Sequence, residues 1–575
     1  MIEHVLRDYA LLADGERGAL IGPRGDIAWM CAPRWDSGSV FSALIGGEGV
    51  YSVTPVERYV WGGRYEGTSM IWRSRWVTGS GVIECREALA FPAETDRLVL
   101  LRQLRAVDAP ARATVTLHPR ADYDRRPMTR LHPGGGSWHF RVGDLHGRWS
   151  AGPGARRTAD GAALTLDVRL AAGEQRDLVL ELATSELADD RPDPHDLWRR
   201  TEAAWDAAVP SLTNTLAPRD TGRSLAVLRG LTSSGGGMVA AATTSLPERS
   251  EADRNYDYRY VWIRDQCYAG RAAATVGATE LLDAAVGFVT ARLLEHGADM
   301  VPAYTVTGAA VPPERGLDLP GYPGGSDKVG NRARNQFQLD GFGEALLLLA
   351  SAAQHDRLDR DGWQAVDVAA AVLAERWTEP DSGIWEIDER MWTHSRLIGA
   401  AGLRAVAAHR PGRSSREWLA LADRIVAETS AQALHSDGRW QRAPDDPAHD
   451  AALLLAGLRG AVPADDPRTV ATLDSYLRDL TVDGYAYRYR HDDRPLPDAE
   501  GAFLLCGFWV ALALHQQGRA VEARAWFERT RAACGPPALF TEEFDGSQHQ
   551  LRGNLPQAFV HALMVETSAR LAGKE

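Results

Sequence analysis

The sequence predicts an α+β chain in which a large antiparallel β-sandwich is followed by a toroid of paired helices. Up to about residue 205, polar and apolar residues alternate in short runs broken by Gly, Pro and Asp, the period of antiparallel strands. From about residue 219 the apolar period changes to 3.6 and stays there. The 575 residues, 45% hydrophobic and 25% charged, suffice for two large cores.

In the first part, residues 18–21, 26–30, 97–101 and 111–117 read as strands, and Gly22-Pro-Arg-Gly25 as a hairpin turn between the first two. Pro133-Gly-Gly-Gly136 and Ala151-Gly-Pro-Gly154 read as loops. The sandwich is assigned to residues 1–190, and residues 191–218, with a helical stretch over 195–209, to a linker. In the remainder, 219–575, helical runs lie near 219–233, 265–277, 279–296, 334–353, 361–377, 394–409, 414–434, 449–459, 465–480, 499–516, 518–533 and 556–573. Twelve helices in consecutive pairs, joined by loops of very unequal length, predict six hairpins closed into a ring with function in the long loops at one end.

Composition removes several function classes. The formal charge is −13, from 64 basic and 77 acidic residues, and no block of like charge suggests a nucleic-acid arm or a membrane-surface helix. No apolar stretch reaches the roughly 18 residues needed to span a bilayer, so neither nucleic acid nor membrane is an expected partner. Residues 1–15 lack the layout of a secretory signal. The five scattered cysteines fit reduced thiols, so a cytoplasmic enzyme is the expectation. Only Lys328 and Lys574 are lysines and neither lies in a P-loop; HExxH, zinc spacing, GxSxG and GxGxxG are all missing. His394 and His561, in helical runs, read as hydrogen-bonded structural histidines. Oligomeric state is not fixed by the sequence.

Three loop clusters remain that could carry chemistry. Trp (18) outnumbers Tyr (15) and Phe (12), and an indole offers a flat apolar face and an N–H donor, which suits stacking on a sugar ring. The first cluster is Asn255-Tyr-Asp-Tyr-Arg-Tyr-Val-Trp-Ile-Arg-Asp265, where Arg264 and Asp265 combine a donor fork with an acceptor suited to vicinal hydroxyls; equally, Asp265 could only cap the following helix. The second, Asp381-Ser-Gly-Ile-Trp-Glu386, places a carboxyl beside an indole, whose desolvation would raise its pKa as a general acid requires; the alternative is an exposed loop Glu. The third is Phe540-Thr-Glu-Glu-Phe-Asp545 with Gly553-Asn-Leu-Pro-Gln-Ala-Phe559. Its carboxylates could supply a base, or the segment could be a polar loop ending in the last helix cap.

Taken in this order, the motifs resemble glycoside hydrolase family 15, the glucoamylase and bacterial trehalase group, over nearly the whole chain. The resemblance begins at Asp8-Tyr-Ala-Leu-Leu and Gly25-Asp-Ile-Ala-Trp-Met-Cys-Ala-Pro-Arg-Trp-Asp36. It continues through the three clusters, Gly321-Tyr322, Gly330-Asn331, Gln336, Gln338-Leu-Asp340, Gly343-Glu344, Glu500-Gly501 and Phe508-Trp509. It implies an N-terminal β-sandwich followed by a catalytic (α/α)6 barrel, and hydrolysis of a terminal α-glucosyl residue with inversion, releasing β-glucose. By position it implies Glu386 as general acid and Glu542 as general base. Arg264 and Asp265 would grip the glucose before the scissile bond, with Trp262, Tyr258, Trp385 and Lys328 as further substrate-binding residues. The sequence departs from the family at Ser326-Asp-Lys328, where Pro-Val-Arg is usual, and at Thr393-His-Ser-Arg396, where the last residue is usually Lys. Both departures bear on the leaving-group side.

The expected substrate is thus an α-glucoside, either a glucoamylase-type oligosaccharide or trehalose, and acid/base chemistry with water needs no cofactor. Two alternatives stand beside it. An inverting sugar phosphorylase would replace the activated water by phosphate and leave Glu542 without a task, and a carbohydrate-binding protein would bind without turnover.

Overall fold

The computed structural model describes residues 4–249 and 254–573; Lys574 and the first three residues of the amino-terminal segment lie outside them. Seventeen described strands between Ala10 and Ala183 form two antiparallel sheets, one of eight strands and one of nine. Between the sheets lies a core that includes Trp72, Trp76, Trp149, Leu100 and Leu180. The turn at Gly22-Pro-Arg-Gly25 joins Gly18–Ile21 to Asp26–Cys31 as expected, with Gly25 at φ +72°. Pro133 and Gly134, expected in a loop, close the strand Arg126–Gly134 instead, opposite Trp138 and Ser137.

The first three strands do not alternate polar with apolar. Ala10–Ala13, Gly18–Ile21 and Asp26–Cys31 are buried on both faces. Ala10, Leu12, Ala19, Ile21 and Met30 face the inter-sheet core, whereas Leu11, Leu20, Trp29 and Cys31 face the helical part. Burial of each Leu, Ile or Met side chain among them contributes roughly 1.5–3 kcal/mol, so a sheet sandwiched on both sides favours continuous apolar runs.

Fourteen helices are described: α1 Pro194–Ala208, α2 Pro218–Leu231, α3 Ile263–Val276, α4 Thr279–His296, α5 Leu339–Gln354, α6 Arg360–Arg376, α7 Thr393–Ala407, α8 Arg413–Gln432, α9 Leu455–Leu458, α10 Pro467–Asp479, α11 Leu496–Ala499, α12 Leu504–Gln516, α13 Ala520–Arg531 and α14 Ala558–Arg570. An inner ring runs α3, α5, α7, α9, α12, α14 and closes where α14 packs on α3. Each inner helix also packs against an outer one, as α7 does on α8, α12 on α13 and α14 on α2. Burial follows position. Every residue from Leu504 to Leu514 of α12 is buried, while α8 buries one face only.

Three inner helices start or end differently from the apolar period. The run 334–353 begins as a helix only at Leu339, because Asn331 caps a separate 3-10 turn at Arg332–Asn335. The run 499–516 begins at Leu504, because Ala502–Phe503 pairs as a strand with Glu543–Asp545. The run 449–459 is a 3-10 turn, Ala451–Leu454, followed by the single turn α9. Connections from outer to inner helices, 232–262, 297–338, 377–392, 433–450, 480–503 and 532–557, are long; the reverse ones, such as 277–278 and 517–519, are short.

Polar contacts fasten the sandwich to the helices. Trp29 Nε1 donates to the Ala242 carbonyl at 2.9 Å, Ser234 N to Glu16 Oε1 at 2.7 Å, and Arg223 to the carbonyls of Gly67 and Ser69. Helix α1, in the expected linker, stacks Trp205 on Phe91 with ring centroids 4.4 Å apart. No described helix is long and apolar enough to cross a membrane.

Candidate active site

The long connections converge on a cavity of about 450 Å³, and all eight side chains singled out from the sequence line it: Tyr258, Trp262, Arg264, Asp265, Lys328, Trp385, Glu386 and Glu542.

The first cluster is positioned by strand alternation. Between residues 255 and 262 successive side chains point to opposite sides. Tyr256, Tyr258 and Trp262 line the cavity, while Asn255, Asp257 and Arg259 are buried behind it. Asp257 and Arg259 pair through both oxygens at 2.9 and 2.7 Å, and the Arg259 fork extends to the Ser37 carbonyl at 2.8 Å and Tyr123 Oη at 2.9 Å in the sandwich. Asp257 also accepts from Gly330 N at 3.0 Å, bringing the Lys328 segment alongside. Val261–Trp262 then pairs with Ala303–Tyr304 and α3 begins, with Arg264 and Asp265 in its first turn. Asp265 does not serve as the N-cap, which is Trp262. Arg264 donates to Gln338 at 2.9 Å and Asp340 at 3.2 Å. Burial pushes Asp265 up to about 7, against the pull of Arg264.

The second cluster is a turn anchored at its base. Asp381 Oδ2 accepts from Leu339 N, Gly383 N and Ser395 Oγ at 3.2, 3.1 and 2.8 Å, and Oδ1 from Arg396 at 2.6 Å. Burial raises Asp381 to about 6 despite Arg396. Arg396 also donates to the carbonyls of Trp377, Glu379 and Trp392, so the departure from Lys places a planar fork at the base of this turn. At its tip Glu386 adopts φ +54°, the left-handed conformation uncommon for a residue with Cβ and enriched at functional sites. Its Oε1 accepts from Trp262 Nε1 at 2.7 Å and faces Arg264 Nη2 at 3.4 Å. The indole that hydrogen-bonds to Glu386 is therefore not its neighbour Trp385, whose Nε1 is taken by Asp450 at 2.8 Å.

The third cluster is β-structure rather than loop. Glu543–Asp545 is the middle strand between Ala502–Phe503 and Gln550–Arg552, and Gln557 caps α14. Glu542, just before the strand, accepts from the Tyr258 hydroxyl at 3.0 Å. Burial raises its carboxyl, opposed by Arg488 and Tyr258 and reinforced by Glu386, so the two glutamates sense one another across the cavity. Lys328 pairs across a short two-stranded ladder with Gly316, and its carbonyl accepts from Thr244 and Ser245.

Glu248, Arg254, Tyr256 and Arg488 also line the cavity and were not singled out from the sequence. Arg488 sits in Tyr485-Ala-Tyr-Arg-Tyr489, where aromatic residues alternate around a cation, a pattern that could have marked it. Glu248, in Ser245-Leu-Pro-Glu248, carries no such signal. His561 is hydrogen-bonded as expected, to Ser224 Oγ at 3.0 Å. His394 is not. Neither ring nitrogen has a partner among the described residues, and burial pushes it down to about 3. No cluster of His, Cys, Asp and Glu able to hold a metal occurs among the described residues.

The family model for Glycosyl hydrolases family 15 matches residues 223–569, and the model Trehalase-like, N-terminal matches residues 3–203. The chain is 30% identical to a protein named Trehalase from Mycobacterium tuberculosis (strain ATCC 25618 / H37Rv), over 97% of its own length and 88% of that protein's. It is also 30% identical to Trehalase from Mycolicibacterium smegmatis (strain ATCC 700084 / mc(2)155), over 97% and 90%. Among solved structures, a bacterial glucoamylase complexed with acarbose matches with a TM-score of 0.74 at 13% identity, covering 100% of this chain and 95% of that one, which shows a shared fold of β-sandwich and helical barrel. The chain therefore belongs to glycosyl hydrolases family 15 and is a glycoside hydrolase.

Proposed function

We propose that this enzyme hydrolyses trehalose with inversion at the attacked anomeric carbon, Glu386 acting as general acid and Glu542 as general base. The observation that carries the substrate is the near full-length similarity to two proteins named Trehalase. In this reading residues 1–190 form the sandwich, 191–218 the linker and 219–575 the catalytic barrel. Glu386 protonates the glycosidic oxygen, held by the Trp262 N–H and Arg264. Glu542 takes a proton from a water that attacks C1 on the opposite ring face, a geometry that calls for carboxyls roughly 6.5–9.5 Å apart. Arg264 and Asp265 grip the attacked glucose, with Tyr258 and Trp385 against it and Lys328 on the leaving-group side.

Proton NMR of the anomeric region from the first minute tests this, with trehalose, maltose, isomaltose and maltotriose in separate tubes. From trehalose, inversion releases one β-glucose from the attacked ring and one α-glucose from the leaving ring, so equal early signals are expected. Early α-glucose alone would mean retention, and activity only with maltose or isomaltose would move the substrate to glucoamylase-type oligosaccharides. Release of a sugar phosphate only in the presence of phosphate would revive the phosphorylase alternative.

A further inference from the structure

Four carboxyls, Glu248, Glu500, Glu542 and Glu543, influence one another beside Arg254 and Arg488, and of these groups Glu248, Glu542, Arg254 and Arg488 line the cavity. The cations are drawn to Glu500, whose Oε2 lies 2.7 Å from Arg488, 2.7 Å from His491 and 3.4 Å from Arg254. Glu248 and Glu542 have no ion-pair partner within 4.0 Å among the described residues, yet their stems are neighbours: a Cβ on Gly553 would stand 3.5 Å from Glu248 Cγ and 4.0 Å from Glu542 Cβ. Between the two carboxyls stands one hydroxyl. Tyr258 Oη is 3.0 Å from Glu542 Oε2 and 3.4 Å from Glu248 Oε1.

A phenol has one proton, and three oxygens in a row need two to form two hydrogen bonds. Were both carboxyls ionised, one end of the row would be an unsatisfied contact between lone pairs, in a site only 5% exposed at Glu248. We propose that Glu248 is the positioning residue of Glu542: it carries the second proton, donates it to Tyr258 Oη, and so commits the Tyr258 proton to Glu542, leaving that carboxylate ionised. This rests on the reading of Glu542 as the base.

Burial and the neighbouring Glu542 and Glu500 hold Glu248 up to about 8, against Arg488 and Arg254, which agrees with a carboxylic acid at neutral pH. Tyr256 and Glu543 also face this group. Glu248 lines a second cavity as well, of about 230 Å³, bounded by Arg249, Tyr487, Asp498, Asp545 and Arg552.

The test is the infrared difference spectrum of the wild-type enzyme minus E248Q across a pH series. A protonated-carboxyl C=O band at neutral pH that titrates away near pH 8 is expected; only carboxylate bands at neutral pH would overturn the proposal. In parallel, E248A should lower kcat roughly tenfold at unchanged KM, the scale of one hydrogen bond, with Gln restoring most of that loss because its amide still donates to Tyr258. A change in KM alone would make Glu248 a substrate contact and overturn it. E542Q assayed beside them separates the two readings: an active E542Q removes the base, whereas the infrared band reports Glu248 whatever Glu542 does.

Discussion

Trp262 donates its indole N–H to Glu386 Oε1 at 2.7 Å, joining a side chain at the start of α3 to one on a left-handed turn more than a hundred residues later. The turn fixes where Glu386 leaves the backbone, and the indole fixes where its carboxyl points. Substituting Trp262→Phe keeps most of the ring and removes only the donor. Glu386 becomes a carboxylate as it gives up its proton, and a hydrogen bond to a charged group is worth about 1.5–3 kcal/mol, so kcat/KM on trehalose should fall by roughly ten- to a hundredfold, with the loss in kcat. Steady-state kinetics checks it, and an effect confined to KM would reduce Trp262 to a sugar platform.

Replacing Glu386 or Glu542 by Gln retains volume and hydrogen-bonding capacity while removing the proton chemistry. Positioned acids and bases contribute about 10²–10⁴-fold, and each variant should lose at least that much turnover with its thermal melt preserved. Either variant retaining near wild-type activity would remove that residue from its assigned role.

Arg259 touches no substrate-facing surface, yet it ties the Tyr258 strand to the sandwich through the Ser37 carbonyl and Tyr123, with Asp257 as its buried counter-ion. Removing one partner of a buried pair strands the other. Arg259→Ala should therefore cost about 3–5 kcal/mol of stability, read by urea unfolding, and Arg259→Lys should recover only part because a point charge cannot reach Asp257, the Ser37 carbonyl and Tyr123 together. An unchanged unfolding midpoint would show that the sandwich does not brace this segment.

The change of period near residue 219 foretold the architecture because inner and outer helices differ in how much of their surface is apolar, not in whether they are helical. The ends of the inner helices were less legible. Leu504 and Leu339 start late because Phe503 pairs with Glu543 and Asn331 caps its own turn, interactions between segments remote in sequence or too local to alter an apolar period. In the candidate site, the side chains adjacent to aromatic and carboxylate clusters were visible as motifs. Glu248 was not. Its meaning comes from Tyr258 and Glu542, which only the fold brings beside it.

The same neighbourhood sets a pH dependence of stability. Glu248 titrates near 4.5 in an unfolded chain and near 8 in the fold. Between these values the folded state keeps a proton that the unfolded state has released, so stability contributed by this group falls as pH rises from 4.5 to 8. Below 4.5 both states are protonated and the group is silent. Gln cannot titrate, so E248Q should melt at the wild-type temperature at the acid end and progressively above it towards pH 8. Asp265, also raised by burial, contributes to both proteins and cancels in the comparison, while Glu543, raised by burial and then by Glu248, is raised less in E248Q and widens the gap in the same direction. Thermal melts of the two proteins over a pH series measure the difference directly. A gap that narrowed as pH rose would mean that Glu248 is ionised in the folded protein, and that Tyr258 divides its proton between two carboxylates.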